Sequence, residues 1–206
     1  MPYQYLPFVF ILFLSTTLIG QQYSARTAHL YVQSANKFVE IEADNYQMNS
    51  TIDATNGKIN LLGLLKSFEF RIGGLDQAFN SKLIKTISHP KFKYIGEITN
   101  IKMVQFNVPG KYPIDIKGTL YVWDLKRISP GTGVIEVHKD GTITAHSDIS
   151  FQIEDASVEK TNKLIKSYMP PTLLLDMDKL GISKSVKVKV NGTYRKKRSS
   201  SNASSK

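Results

Sequence analysis

The sequence predicts an all-β fold, a single antiparallel β-barrel of about eight strands with one short inserted helix. The clearest observation is segment 143–153, where apolar side chains occupy most odd positions and polar ones, such as His146 and Asp148, the even positions. Successive side chains of a strand point to opposite faces, so this segment has one dry face and one wet face. That pattern is typical of antiparallel sheets wetted on one side. A closed barrel of such strands holds either a packed core or one ligand cavity.

The same alternation recurs on both sides of a region with helical periodicity. Before that region we predict, in order, a polar lead at 21–27, one or two strands within 28–43, a strand at 47–53, a tight Ala-Thr-Asn-Gly turn at 54–57 and one long strand at 58–72. Residues 75–85 fit a helical stripe, and His89-Pro90 ends it. After it we predict strands at 91–98 and 114–122, a turn at 130–133, a short strand at 134–137, a hairpin turn at 139–141 and a final strand at 186–194. Residues 160–175 are ambiguous between an ordered loop and a short helix, because two prolines follow one another there.

The two ends of the chain differ from the barrel region. Residues 1–20 contain an apolar run, 6–14, which is too short to span a bilayer and has the length of a secretory signal. We therefore expect an exported protein, periplasmic or secreted, with a retained N-terminal anchor as the alternative. Residues 197–206 are basic and Ser-rich, and we expect a solvated tail.

Charge and cysteine content limit the partners and the chemistry. The net charge is +10, and five of the positive residues lie between Arg195 and Lys206. In an exported protein such a tail favours an anionic envelope surface over nucleic acid. The chain has no cysteine, which excludes disulfides and thiolate chemistry.

No motif in the sequence indicates catalysis. The four histidines are far apart, and serine nucleophile elbows, phosphate loops and dinucleotide motifs are absent from the sequence. We therefore expect no enzyme activity, no metal and no cofactor other than a bound lipid. The strand faces do carry many aromatic and aliphatic side chains, which either fill a core or line an apolar cavity.

Several segments together resemble the YceI-like family. They are Asn49-Ser-Thr-Ile-Asp-Ala-Thr-Asn-Gly-Lys-Ile, Leu65-Lys-Ser-Phe-Glu-Phe, Ala78-Phe-Asn, His89-Pro-Lys-Phe-Lys-Tyr and Lys117-Gly-Thr-Leu-Tyr-Val. The resemblance covers residues 28–196. It implies a lipocalin-like barrel in an exported bacterial protein that holds a polyisoprenoid or a similar long-chain amphiphile. Where relatives carry His-Gly-Val-Thr-Lys-Pro, this chain has residues 123–128, so we expect a different path for that connection.

The resemblance and the strand faces together nominate inward positions for a ligand. The candidate lining residues are Phe68, Phe70, Phe92, Tyr94, Leu120, Val122, Ile149 and Phe151. Lys66 shares a face with apolar residues of the predicted long strand, so we expect it at the barrel mouth or a bend, as the head-group contact. The alternative function is a non-enzymatic envelope protein with a filled barrel and a basic surface. The sequence predicts neither the ligand's identity nor the oligomeric state.

Overall fold

The computed structural model describes residues 21–35, 40–72, 88–123, 125–152 and 185–197, together with Glu159 and Lys163. These residues form ten strands: β1 (Gln22–Ala35), β2 (Glu40–Asp53), β3 (Lys58–Leu64), β4 (Glu69–Phe70), β5 (Lys91–Ile98), β6 (Gly110–Val122), β7 (Leu125–Ile128), β8 (Gly131–Val137), β9 (Ile143–Gln152) and β10 (Ser185–Lys196). The predicted signal segment 1–20, the helix at 75–85 and the tail beyond residue 197 lie outside the described residues. Within those residues, no helix has the length and apolar content needed to cross a membrane.

Eight of the strands close into an antiparallel barrel. The hydrogen-bonded order is β1-β10-β9-β8-β6-β5-β3-β2, and β2 pairs back with β1. The long β1 makes this closure by pairing with β2 on one side and β10 on the other. Two short strands lie outside the ring: β4 pairs with β2, and β7 pairs with the last residues of β6. The all-β, antiparallel, lipocalin-like barrel of about eight strands is therefore confirmed.

The barrel has two different ends. At one end, called the closed end, lie the β2–β3 turn at 54–57, the β5–β6 connection at 99–109 and the β8–β9 turn at 138–142. At the other end, called the mouth, β1, β3, β6 and β9 finish and β2, β5 and β10 begin. Both predicted tight turns at the closed end are present, with a positive φ at Gly57 (74°) and Gly141 (80°). Glycine adopts this conformation without steric cost.

Three predictions in the strand assignment were wrong. The polar lead is part of β1, which begins at Gln22, because residues 22–25 pair with residues 50–53 of β2. The long strand 58–72 is interrupted by the 3₁₀ turn Leu65–Ser67, which separates β3 from β4. The predicted turn at 130–133 is instead the start of β8. A Cβ atom on Gly133 would lie 2.4 Å from the carbonyl oxygen of His146, so glycine permits this close approach of β9 rather than forming a turn.

Candidate functional site

The closed end of the barrel is filled by packed side chains. Tyr23, Ile98, Ile143 and Tyr194 are each no more than 2% exposed. The ring of Phe106, from the β5–β6 connection, stacks on Tyr23 with centroids 5.4 Å apart. A groove of about 440 Å³ lies at this end, lined by Gln21, Ala54, Thr55 and residues 104–108. Its lining comes from loops rather than from the barrel wall.

Buried tyrosine hydroxyls make hydrogen bonds at this end and farther along the barrel. The hydroxyl groups of Tyr194 and Ser50 lie 2.7 Å apart and are both buried. Tyr94 donates a hydrogen bond of 2.8 Å to the carbonyl oxygen of Ser129. Burial raises the pKa of Tyr94 to about 12. Burial also raises the pKa of Tyr194, against the lowering effect of its hydrogen bond with Ser50. These hydroxyls therefore stay neutral and keep their partners across the physiological pH range.

Two aromatic rings of β5 lie against glycines of the neighbouring strands. A Cβ atom on Gly63 would lie 2.4 Å from the ring of Phe92, and one on Gly118 would lie 2.3 Å from the ring of Tyr94. Each ring therefore occupies the space that a side chain on the facing strand would need. β3 and β6 are the two neighbours of β5, and the glycine on each of them leaves room for one of these rings.

The mouth carries several apolar side chains that are only half-buried. Phe68, Leu120, Val122 and Val188 pack against the core but remain partly exposed. Phe68 lies between Phe70 and Phe92, with ring centroids 6.5 Å and 5.6 Å away. The interior at the mouth therefore combines buried side chains, such as Leu65 and Val186, with half-buried apolar ones, whereas the closed end is packed throughout by buried side chains.

The candidate lining residues occupy two levels of this interior. Phe92, Tyr94 and Ile149 belong to the buried core. The other five candidates are half-buried near the mouth: Phe68, Phe70, Leu120, Val122 and Phe151. Lys66 is exposed in the 3₁₀ turn beside the mouth, so the expected bend is present. The roles of these residues in binding a ligand, and of Lys66 toward a head group, stay predictions.

Three mouth residues were not among the sequence candidates. Val32 and Val188 face each other across the β1–β10 pairing and pack on the core. Their alternation with polar neighbours was a sufficient signal for both. Trp123 also packs on the core, directly after β6, with a φ of 51°. No periodic signal marks it, because the chain there leaves β6 and turns into β7.

The polar clusters of the described residues lie on the outer wall. On β1 and β2, His29 contacts Asp44 at 2.7 Å and stacks on Tyr46, while Arg71 contacts Glu42 at 2.5 Å. These contacts link neighbouring strands. Within the part of the chain that the structure describes, no group of three or more His, Asp or Glu residues is placed to hold a metal ion. His146 is exposed, and its Nδ1 lies 2.8 Å from Asn191 Oδ1.

The fold and this interior define the chain as a closed antiparallel barrel with one filled end and one apolar mouth. A search of solved structures finds the same fold in a polyisoprenoid-binding domain from Saccharophagus degradans that is implicated in plant cell wall breakdown. The two chains superpose with a TM-score of 0.65 at 16% identity, over 85% of this chain and 98% of the other. No family model and no curated protein matches the sequence. The fold expected from the YceI-like resemblance is thereby confirmed.

Proposed function

We propose that this protein binds a long-chain apolar ligand, a polyisoprenoid or a similar amphiphile, inside the barrel with its chain entering through the mouth. The observation that carries the proposal is the contrast between the two ends of the interior. At the closed end the side chains of Ile143 and Tyr194 are almost inaccessible. At the mouth, Phe68, Leu120 and Val122 are accessible although they face the core.

Burial of a methylene chain against such side chains supplies the affinity. Each CH₂ group removed from water contributes about 0.8 kcal/mol, so a chain of a few isoprene units supplies a large driving force without any charged contact. The solved structure with the same fold is a polyisoprenoid-binding domain, which supports an apolar ligand for this chain as well. That protein is a binding domain, which supports a carrier rather than a catalyst.

We further propose that the protein is exported by residues 1–20 to the periplasm or beyond the cell. The apolar run at 6–14 supports this location, because it has the length of a secretory signal's apolar region. Expression of the full chain followed by fractionation and N-terminal sequencing of the exported product tests it. Export with a new N-terminus near residue 21 supports a signal peptide, whereas an intact membrane-bound N-terminus supports the retained anchor.

The ligand is tested by native mass spectrometry and solvent extraction of the purified protein. We expect a co-purifying lipid in the wild type and its loss in Phe151→Glu, because a carboxylate at the mouth is costly to desolvate beside an alkyl chain. Val134→Glu adds the same charge to an exposed residue of β8 and should retain the lipid. A wild-type protein that carries no lipid and takes up none from added polyprenol would support the filled barrel of an envelope interaction protein instead.

A further inference from the structure

The outer wall beside the mouth carries a patch that the ligand-binding interior does not explain. Lys93 on β5 is opposite Tyr121 on β6, which is opposite Lys126 on β7. Both ammonium groups lie over the Tyr121 ring, 5.2 Å and 5.9 Å from its centroid. Lys91, at the start of β5, is exposed one outward position nearer the mouth. Two cations therefore flank one aromatic ring, and a third lies on the same face of β5.

Exposed apolar side chains border these cations. Ile95 and Ile128 lie on either side of Thr119 in the next row of the sheet, 42% and 82% exposed. Leu62, opposite Lys93 on β3, is 40% exposed. We call Lys91, Lys93, Lys126, Tyr121 and these three apolar residues the rim patch. Apolar residues this accessible, grouped and edged by lysines, are typical of interaction surfaces rather than of a solvated wall.

The carboxylates of the barrel wall are unevenly distributed around the rim patch. Along the described strands β3, β5, β6 and β7, the carboxylates are Glu97 and Asp115, and both lie beyond the patch toward the closed end. Glu97 is moreover opposite Lys58 and Lys117. The other wall of the barrel, on β2, carries Glu40, Glu42 and Asp44. Among the described residues, the β5–β7 side of the mouth is therefore basic, whereas on the β2 side Arg71 partly neutralises Glu42 and Asp44.

We propose that the rim patch docks the protein on an anionic lipid bilayer, with Ile128 and Tyr121 entering the interfacial region and the lysines contacting lipid phosphates. Lysines near an anionic membrane attract it electrostatically, and exposed aliphatic and aromatic side chains add affinity by leaving water. The docked orientation brings the mouth next to the lipid surface. This site differs from the basic tail, and its test does not depend on the barrel ligand.

Sedimentation with vesicles tests the docking, using phosphatidylcholine with and without phosphatidylglycerol. The variant Lys91→Gln/Lys93→Gln/Lys126→Gln should bind the anionic vesicles on the order of 100-fold more weakly than the wild type. Its matched control is Lys58→Gln/Lys102→Gln/Lys139→Gln, which removes the same charge from exposed lysines at the closed end. We expect the control to bind nearly as the wild type does. Equal losses in both variants, or a loss in neither, would overturn the proposal, and unchanged circular dichroism shows that the variants fold.

The apolar part of the patch has its own test. Ile128→Ser should weaken vesicle binding on the order of tenfold, whereas Met103→Ser, at a 69% exposed residue of the closed end, should not. Brominated lipids should quench Trp123, the only tryptophan of the chain, which follows β6 beside Tyr121. If Ile128→Ser is without effect and soluble polyphosphate displaces the protein completely, the patch is a polyanion site and the membrane proposal fails.

Discussion

The closed end and the mouth of the barrel are built from the same alternating strands, yet their interiors differ. At the closed end, aromatic side chains and the β5–β6 connection fill the space, and Tyr23, Ser50 and Tyr194 are almost completely buried. At the mouth, residues of similar apolar character, such as Phe68 and Leu120, remain half-exposed. The difference predicts that side chains at the closed end contribute more to stability than those at the mouth. Three predictions test this division.

The largest expected effect comes from removing equal numbers of carbon atoms at the two ends. Ile98→Ala, at a residue 1% exposed, should lower the free energy of unfolding by about 3 to 4 kcal/mol, because it leaves a cavity in a packed interior. Leu120→Ala, at the half-buried mouth, should cost only about 1 kcal/mol while weakening retention of the co-purifying lipid. Chemical denaturation measures both values. Similar costs at the two sites would contradict the division.

A second expected effect concerns alkaline pH. Tyrosine in an unfolded chain ionises near pH 10, whereas burial raises the pKa of Tyr94 to about 12 in the folded protein. Between these values the unfolded state binds fewer protons, so the free energy of unfolding falls as the pH rises. Tyr94 alone accounts for about 2 to 3 kcal/mol lost by pH 12.

The variant Tyr94→Phe isolates this contribution. It should be about 1 kcal/mol less stable at neutral pH, because the hydrogen bond to Ser129 is lost. Its stability should then fall less steeply than that of the wild type above pH 10. The part that remains comes from the other tyrosines whose pKa is raised, including Tyr31 and Tyr194. Urea denaturation between pH 8 and about pH 12 measures how steeply the free energy of unfolding falls with pH. An equally steep fall in Tyr94→Phe and in the wild type would contradict the role of Tyr94.

The smallest expected effect compares two serines. Ser50→Ala leaves the buried hydroxyl of Tyr194 without its partner and should cost about 1 to 2 kcal/mol. Ser67→Ala, in the 3₁₀ turn at the mouth, removes a 3.2 Å hydrogen bond to Gln47 that is open to solvent and should cost less than about 0.5 kcal/mol. Thermal unfolding of both variants measures these stability costs. A larger loss of stability in Ser67→Ala than in Ser50→Ala would contradict the assignment of stability to the closed end.

The fold was predictable where one strand face is dry and the other wet. Segments 91–98 and 143–152 alternate for this reason, and both are strands of the barrel. Strand prediction failed where a residue type that usually indicates a turn serves a packing purpose instead. Gly131 and Gly133 resemble a turn in sequence, but their missing side chains make room for the β9 backbone. The start of β1 was missed because its inward side chains, Tyr23 and Ala25, stand among polar residues in the sequence, although both are buried in the barrel.

The candidate site was predictable only as a set of inward positions. Alternation assigns Phe92, Leu120 and Ile149 to one face of their strands, and all three pack in or against the core. It contains no information about which end of a closed barrel is filled. Phe106 closes one end from an irregular connection, whose contacts depend on tertiary structure rather than on any sequence period. The difference between closed end and mouth therefore became visible only in three dimensions.

The pairing that closes the barrel has a mechanical consequence. Both described ends of the chain lie together at the closed end, where Tyr23 is opposite Lys196 and the backbone N–H of Lys197 donates a 2.7 Å hydrogen bond to Gln22. Tension applied to the two ends would act along the hydrogen bonds of the β1–β10 seam, which lie perpendicular to antiparallel strands. In this unzipping geometry the hydrogen bonds would break one pair at a time, so the barrel should open under low force despite its packed interior.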